Sequence, residues 1–242
     1  MYCAVVLVPF LFIARRYRAR GAFYAAGLTI LLVLIDEIVL DLPLNGLGLK
    51  WNWFGKILES LWPLAIALLF RLPKRLTAFR QPERLKAYLT ATLLGFGLAC
   101  FHAYYFLQGQ FVPDRSRTDM ESIVFQFTMP GLGEEIFYRG LLLGVLDGWL
   151  NRQWKFFGVK IGYGCLISSG IFVIAHVIEI SPTYQLDYCR DPFFYFFVAA
   201  VAISMCYLRY KTGSILPCIL AHNIVNGMRY VGSAIYYMQS PN

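Results

Sequence analysis

Long apolar stretches, separated by short polar gaps, recur along the whole of this 242-residue chain. They predict helices over residues 2–14, 22–43, 53–71, 87–108, 121–147, 161–179, 192–208 and 215–238, since roughly 20 apolar residues in a row suffice for a helix to cross a bilayer. The pattern as a whole predicts an all-α fold, a polytopic membrane bundle of about eight transmembrane helices. The first stretch is short for a ~30 Å hydrocarbon core and fits a tilted or interfacial helix, or the remnant of a trimmed start. A cleaved signal peptide is not expected, because the basic cluster follows this stretch instead of preceding it.

Composition strengthens the membrane reading. The chain is 58% hydrophobic and only 15% charged, whereas soluble domains carry about 25% charged residues. Its net charge of +8 is not gathered on one face for nucleic acid; it lies in the gaps and alternates between them. Arg15, Arg16, Arg18 and Arg20 follow the first stretch, and only Lys50 follows the second. The third gap is basic again, from Arg71 to Lys86, while the fourth holds Arg115 and Arg117. The rich side is expected in the cytoplasm, which leaves the C-terminus outside and makes the lipid bilayer the first partner. The cysteines show neither metal-type spacing nor a disulfide framework. A single domain over 1–242 is expected, with accessory helices in 1–118 and a functional core in 119–238.

The chemistry concentrates where charge interrupts an apolar stretch. Glu134, Glu135 and Arg139 lie inside the fifth, in GLGEEIFYRGLL, and an ionisable residue at that depth costs on the order of 2.5–3.5 kcal/mol. Glu135 and Arg139 are four apart, acid before base, and neutralise one another on one helix face. Glu134 lies about 100° round the helix, with no basic neighbour in its own segment. His176 ends FVIAH in the sixth stretch, with Phe172 one turn earlier; His222 opens HNIVN in the eighth, with Asn226 one turn later. His102, among aromatics in CFHAYYF, reads as a packing histidine. Should Glu134, His176, His222 and Asn226 converge, they supply a general base for water and donors for an oxyanion, the parts that amide hydrolysis requires.

These three patterns resemble the EExxxR, FxxxH and HxxxN motifs of the CPBP family of intramembrane proteases, which includes the Rce1-like CAAX proteases and bacterial Abi-type proteins. The resemblance covers roughly residues 120–230. It implies an intramembrane endopeptidase cutting near the membrane end of a protein or lipopeptide substrate. Glu134 would activate water with His176, and His222 and Asn226 would form the oxyanion hole. Glu135 and Arg139 would brace the site, and Phe172 would pack beneath His176. No cofactor is required by that scheme. The same family has also been described as metalloproteases, and Glu134, His176 and His222 form a possible zinc set.

Other charges complete the reading. Asp36, Glu37 and Asp41 near the end of the second stretch fit pairing with Lys56 of the third, beside Glu59. Arg229 shares a face with His222 and Asn226, and fits either pairing with one of those acids or holding a substrate carboxylate or main chain. A different functional class remains open, a proton-coupled transporter or channel using the buried Glu, His and Arg as a relay, although no inverted repeat is visible. Short loops fit a multi-pass protein of the bacterial inner membrane. Counted along upright helices, Glu134, His176 and His222 lie at different depths, so their convergence requires tilted or broken helices, with Pro130, Gly131, Gly133, Gly162 and Gly164 as candidate break points.

Overall fold

The computed structural model of the chain describes residues 20–42, 48–107, 115, 118–150, 153–180, 186–188 and 191–239. The first predicted helix, 2–14, lies outside them. In chain order the elements are α1 (Arg20–Leu40), α2 (Trp53–Leu69), a single turn α3 (Lys74–Thr77), α4 (Lys86–Leu107), α5 (Met120–Glu134), a π-helix (Glu135–Leu142), α6 (Leu143–Trp149), hairpin β1–β2 (Gln153–Phe156, Val159–Gly162), α7 (Tyr163–Val177), hairpin β3–β4 (Ile178–Ile180, Leu186–Tyr188), α8 (Pro192–Thr212) and α9 (Leu216–Gln239). The fold is helical, as the apolar pattern predicts. Among the described residues, two helices are long and apolar enough to cross a membrane, α4 over Lys86–Tyr104 and α8.

Local chemistry sets the boundaries. Asn52 caps α2 by accepting from the Gly55 N–H, Asp119 caps α5 through the Ser122 N–H, and Asp191 caps α8 through the Phe193 N–H. Each satisfies an amide that has no partner within its helix. Helix α8 stops at Gly213, whose φ of 66° is readily adopted by glycine and ends the helix in the left-handed region.

The two hairpins are additions to the predicted picture, and they shorten the sixth helix. The two-residue turn Phe157–Gly158 has φ of 44° and 78°, the positive pair that a tight hairpin with right-handed strand twist prefers. Residues 159–162 therefore pair as β2 with β1, and α7 keeps only 15 residues, about 22 Å of helix. It ends one residue after His176, and β3 begins at once.

The core is organised around the middle of the fifth segment. Phe137, Tyr138, Leu141 and Leu142 of the π-helix are buried against Ala25, Ala26, Leu32 and Val33 of α1, Ile171 and Phe172 of α7, and Val198 and Ala202 of α8. Helix α9 lies against α4 and α5 at glycines. A Cβ at Gly95 would come within 2.9 Å of the Ala221 carbonyl, and one at Gly131 within 2.5 Å of Asn223 Oδ1.

Candidate active site

Glu134 is the last residue of α5, and the next eight residues, all buried, wind as a π-helix. A π stretch widens the helix and offsets its faces; such stretches are rare, and functional sites are a frequent place for them. Here it carries Glu135 and Arg139 round to one side while Glu134 turns to another. Glu135 Oε1 lies 3.2 Å from Arg139 Nη1. The fully buried guanidinium also donates to the Ala202 carbonyl at 3.1 Å and lies 4.4 Å from the centre of the Phe172 ring. An arginine without water needs such an array, because an unpaired buried charge costs several kcal/mol.

Phe172 has a position on both sides of the site. One face of its ring meets the Arg139 guanidinium, and the ring stacks on His176 with centroids 4.2 Å apart and planes 25° from parallel. His222 meets it edge-on at 6.0 Å. The two imidazoles are thus oriented against one shared aromatic surface.

Their hydrogen bonds fix which nitrogen faces inward. His176 Nδ1 lies 2.8 Å from the Phe172 carbonyl; that oxygen only accepts, so Nδ1 donates. His222 Nδ1 lies 2.7 Å from Glu135 Oε1, a carboxylate already paired with Arg139, so Nδ1 donates there as well. In both rings Nε2 is left to face Glu134, with Oε2 at 3.5 Å from His176 and 3.7 Å from His222. That Oε2 is buried and has no hydrogen-bond partner. The site opens at His176, whose side chain is 32% exposed, against 11% for Glu134 and 3% for His222.

The other Glu134 oxygen is occupied by a group that sequence reasoning assigned elsewhere. Lys56 Nζ lies 2.8 Å from Glu134 Oε1 and 2.9 Å from Glu59 Oε2. The expected pairing of Lys56 with the acids of α1 is corrected: Asp36 is buried and instead accepts from Trp62 Nε1 at 3.0 Å. The reason is helix packing. Segment 50–53 latches to the start of α5, through Trp51 Nε1 to Ser122 Oγ at 2.9 Å and Trp53 Nε1 to Glu121 Oε1 at 3.2 Å, with Trp51 stacked on Phe125 at 5.0 Å. Helix α2 then runs alongside α5, and Gly133 leaves the space that Glu59 fills. Lys56 and Glu59, three apart inside an apolar stretch, were the signal in the sequence; what they faced was not legible.

The remaining candidates are placed as follows. Asn226 is half-buried one turn beyond His222 on α9 and is not among the groups that touch Glu134. Its neighbour Asn223 holds α9 to α5, accepting from the Gly131 N–H at 2.8 Å and donating to the Thr128 carbonyl at 3.1 Å. Arg229 carries its guanidinium 5.9 Å from the Tyr230 ring centre. His102 is buried against Phe197, with ring centres 4.8 Å apart. Pro130, Gly131 and Gly133 do not break the fifth segment, which stays helical through them; the glycines serve close approach, and the change of helical form begins at Glu135. Among the described residues, no group of three or more His, Cys, Asp and Glu side chains is arranged to hold a metal ion. The Lys56 ammonium on Glu134 opposes a dication there by simple repulsion, so the set does not fit zinc well.

Fold and site together define an all-α protein with a buried carboxylate–imidazole centre carried by its central helices. Residues 117–228 match the family described as type II CAAX prenyl endopeptidase Rce1-like. The matched segment holds Glu134, His176 and His222. No curated protein and no solved structure matches the chain.

Proposed function

We propose that the protein is a multi-pass intramembrane endopeptidase that hydrolyses a peptide bond near the membrane end of a protein or lipopeptide, with Glu134 as the general base. The observation that carries this reading is the orphaned, buried Glu134 Oε2 facing two imidazole Nε2 atoms at 3.5 and 3.7 Å. Glu134 Oε2 and His176 Nε2, 3.5 Å apart, are two acceptors that suit a water molecule, which has two protons to give. Lys56 holds Oε1, so Oε2 is the basic atom.

In the proposed reaction, water enters on the His176 side and donates to Glu134 Oε2 and His176 Nε2. Glu134 takes one proton as the water oxygen attacks the scissile carbonyl, and the tetrahedral oxyanion forms. His222, its Nδ1 held by Glu135, donates to the oxyanion from Nε2 in its imidazolium form, having taken that proton from solvent before the step and keeping it through the cycle. Asn226 supplies the second donor. The proton on Glu134 then passes to the leaving amine, and the carbon–nitrogen bond breaks. The scheme uses no metal, in keeping with the fixed ammonium on Glu134.

Glu134→Gln tests the reading, because Lys56 keeps Glu59 as its counter-ion and the fold is expected to persist. Small peptides in membranes carrying the wild-type chain are compared with those carrying the variant. Loss of general-base action is expected to slow product formation by about 10²- to 10⁴-fold. Identical peptide profiles, together with proton or solute flux in proteoliposomes, would establish the transporter reading instead. Activity abolished by chelation and restored by zinc would overturn the metal-free scheme.

A further inference from the structure

The two helices long and apolar enough to span a membrane, α4 and α8, share a groove lined by none of the residues around Glu134. On α8 its wall is a stripe at helical spacing, Phe196, Ala200, Ile203, Tyr207 and Lys211; on α4 it is Lys86, Thr90 and Leu94. The groove has two parts of opposite chemistry. One is an apolar cavity of about 480 Å³ between Leu94 and the α8 stripe, with Phe156 and Phe157 of the β1–β2 turn at its mouth. The other, of about 330 Å³, is lined by Arg84, Lys86 and Lys211.

Thr90 lines both parts, and the Lys211 ammonium lies 5.4 Å from the ring centre of Tyr207 in the apolar wall. The two are therefore continuous. The acid beside the basic part, Glu83, is held by Arg80 at 3.5 Å, so Arg84, Lys86 and Lys211 leave an excess of positive charge. The basic end coincides with the start of α4 and the end of α8, the side whose gaps are rich in Lys and Arg. From Phe196 to Tyr207 the stripe runs about 17 Å at 1.5 Å per residue, close to the ~15 Å of one hydrocarbon leaflet. Large apolar side chains face outward along it, Phe196 at 65% exposure and Phe157 at 82%.

We propose that this groove is a binding site for an anionic phospholipid of the cytoplasmic leaflet. Its phosphate lies among Arg84, Lys86 and Lys211, and one acyl chain lies against Leu94, Ala200 and Ile203. A basic pocket at the cytoplasmic ends of spanning helices attracts lipid phosphate, and the apolar part below it distinguishes a lipid from a free anion. A zwitterionic lipid offers the same chain with no net charge and binds less tightly. The site shares no residue with the Glu134 cluster, so it stands or falls separately from the proposed hydrolysis.

The test is native mass spectrometry of the full chain in detergent, titrated with palmitoyl-oleoyl phosphatidylglycerol, the matched phosphatidylcholine, or inorganic phosphate. One phosphatidylglycerol is expected to be retained with about tenfold preference over phosphatidylcholine. Combined Arg84→Gln and Lys211→Gln, both at exposed positions, are expected to remove that preference. Ala200→Trp fills the apolar part and is expected to reduce retention of both lipids while leaving the charges alone. Equal retention of the two lipids, no effect of either variant, or displacement of the lipid by inorganic phosphate alone would each overturn the proposal.

Discussion

Lys56 of α2 places its ammonium 2.8 Å from Glu134 Oε1, joining two residues 78 positions apart. The same ammonium is 2.9 Å from Glu59 Oε2, and both acids are buried. One cation thus serves two carboxylates in a space with little water. It holds the Glu134 side chain by one oxygen and leaves the other directed at His176 and His222.

Replacing Lys56 by Met therefore leaves two buried carboxylates without their counter-ion. Breaking a buried pair in this way costs about 3–5 kcal/mol, to be seen as a lower melting temperature in detergent. Lys56→Arg, which keeps the charge but changes its shape and reach, is expected to retain the fold and lose at least about tenfold in turnover, equal to about 1.4 kcal/mol in the barrier. A Lys56→Arg enzyme with full turnover would show that only the charge at this place matters.

Glu135 accepts from His222 Nδ1 and faces Arg139 with the same Oε1 atom. Glu135→Gln is expected to hurt stability and rate together. Arg139 then sits fully buried with no carboxylate, again a loss of about 3–5 kcal/mol, and His222 Nδ1 keeps only a neutral amide oxygen, a weaker acceptor than the carboxylate. Thermal melting and peptide-release rates measured on the same preparation check both effects.

Gly133 and Gly170 form a matched pair. A Cβ at Gly133 would overlap the Glu59 carboxylate, whereas at Gly170 it would meet nothing within 4 Å. Gly133→Ala is expected to cost about 1–3 kcal/mol through overpacking and to reduce peptide release by displacing Glu59 and Lys56. Gly170→Ala sits in α7 with room to spare and is expected to raise stability by up to about 1 kcal/mol, with activity unchanged.

Asp119 offers a pH-dependent test outside the predicted spans. Hydrogen bonds from the Lys50 side chain and the Ser122 N–H hold its carboxyl down at about 2, below the usual ~3.9. A carboxyl lowered by folding adds stability above its unfolded value, and that contribution is lost as pH falls from about 4 toward 2. Asp119→Ala is expected to lower the melting temperature at pH 7, with a cap worth about 1 kcal/mol, and to reduce the difference from wild type as pH drops into that range. A difference independent of pH would separate the cap from the carboxylate charge.

The sequence by itself determined the helical class, most helix positions and the residues on which the chemistry rests. Apolar runs and their polar breaks are local, and they predicted 53–71 against an observed 53–69, and 215–238 against 216–239. The i,i+4 spacing placed Glu135 beside Arg139, and burial cost singled out Glu134 as the acid without a partner in its own segment. The tertiary structure decided what each of these faces. It shortened the sixth helix to end at Val177, one residue after His176, wound residues 135–142 as a π-helix, and brought both Nε2 atoms to one oxygen. It also gave Lys56 to Glu134 in place of the acids of α1, and committed Asn223, not Asn226, to bonding between helices. Spacing along a chain specifies which side chains share a helix face. Which helix lies opposite that face depends on where glycines permit close approach and where caps fix the entry angle, and these are matched only when the segments pack.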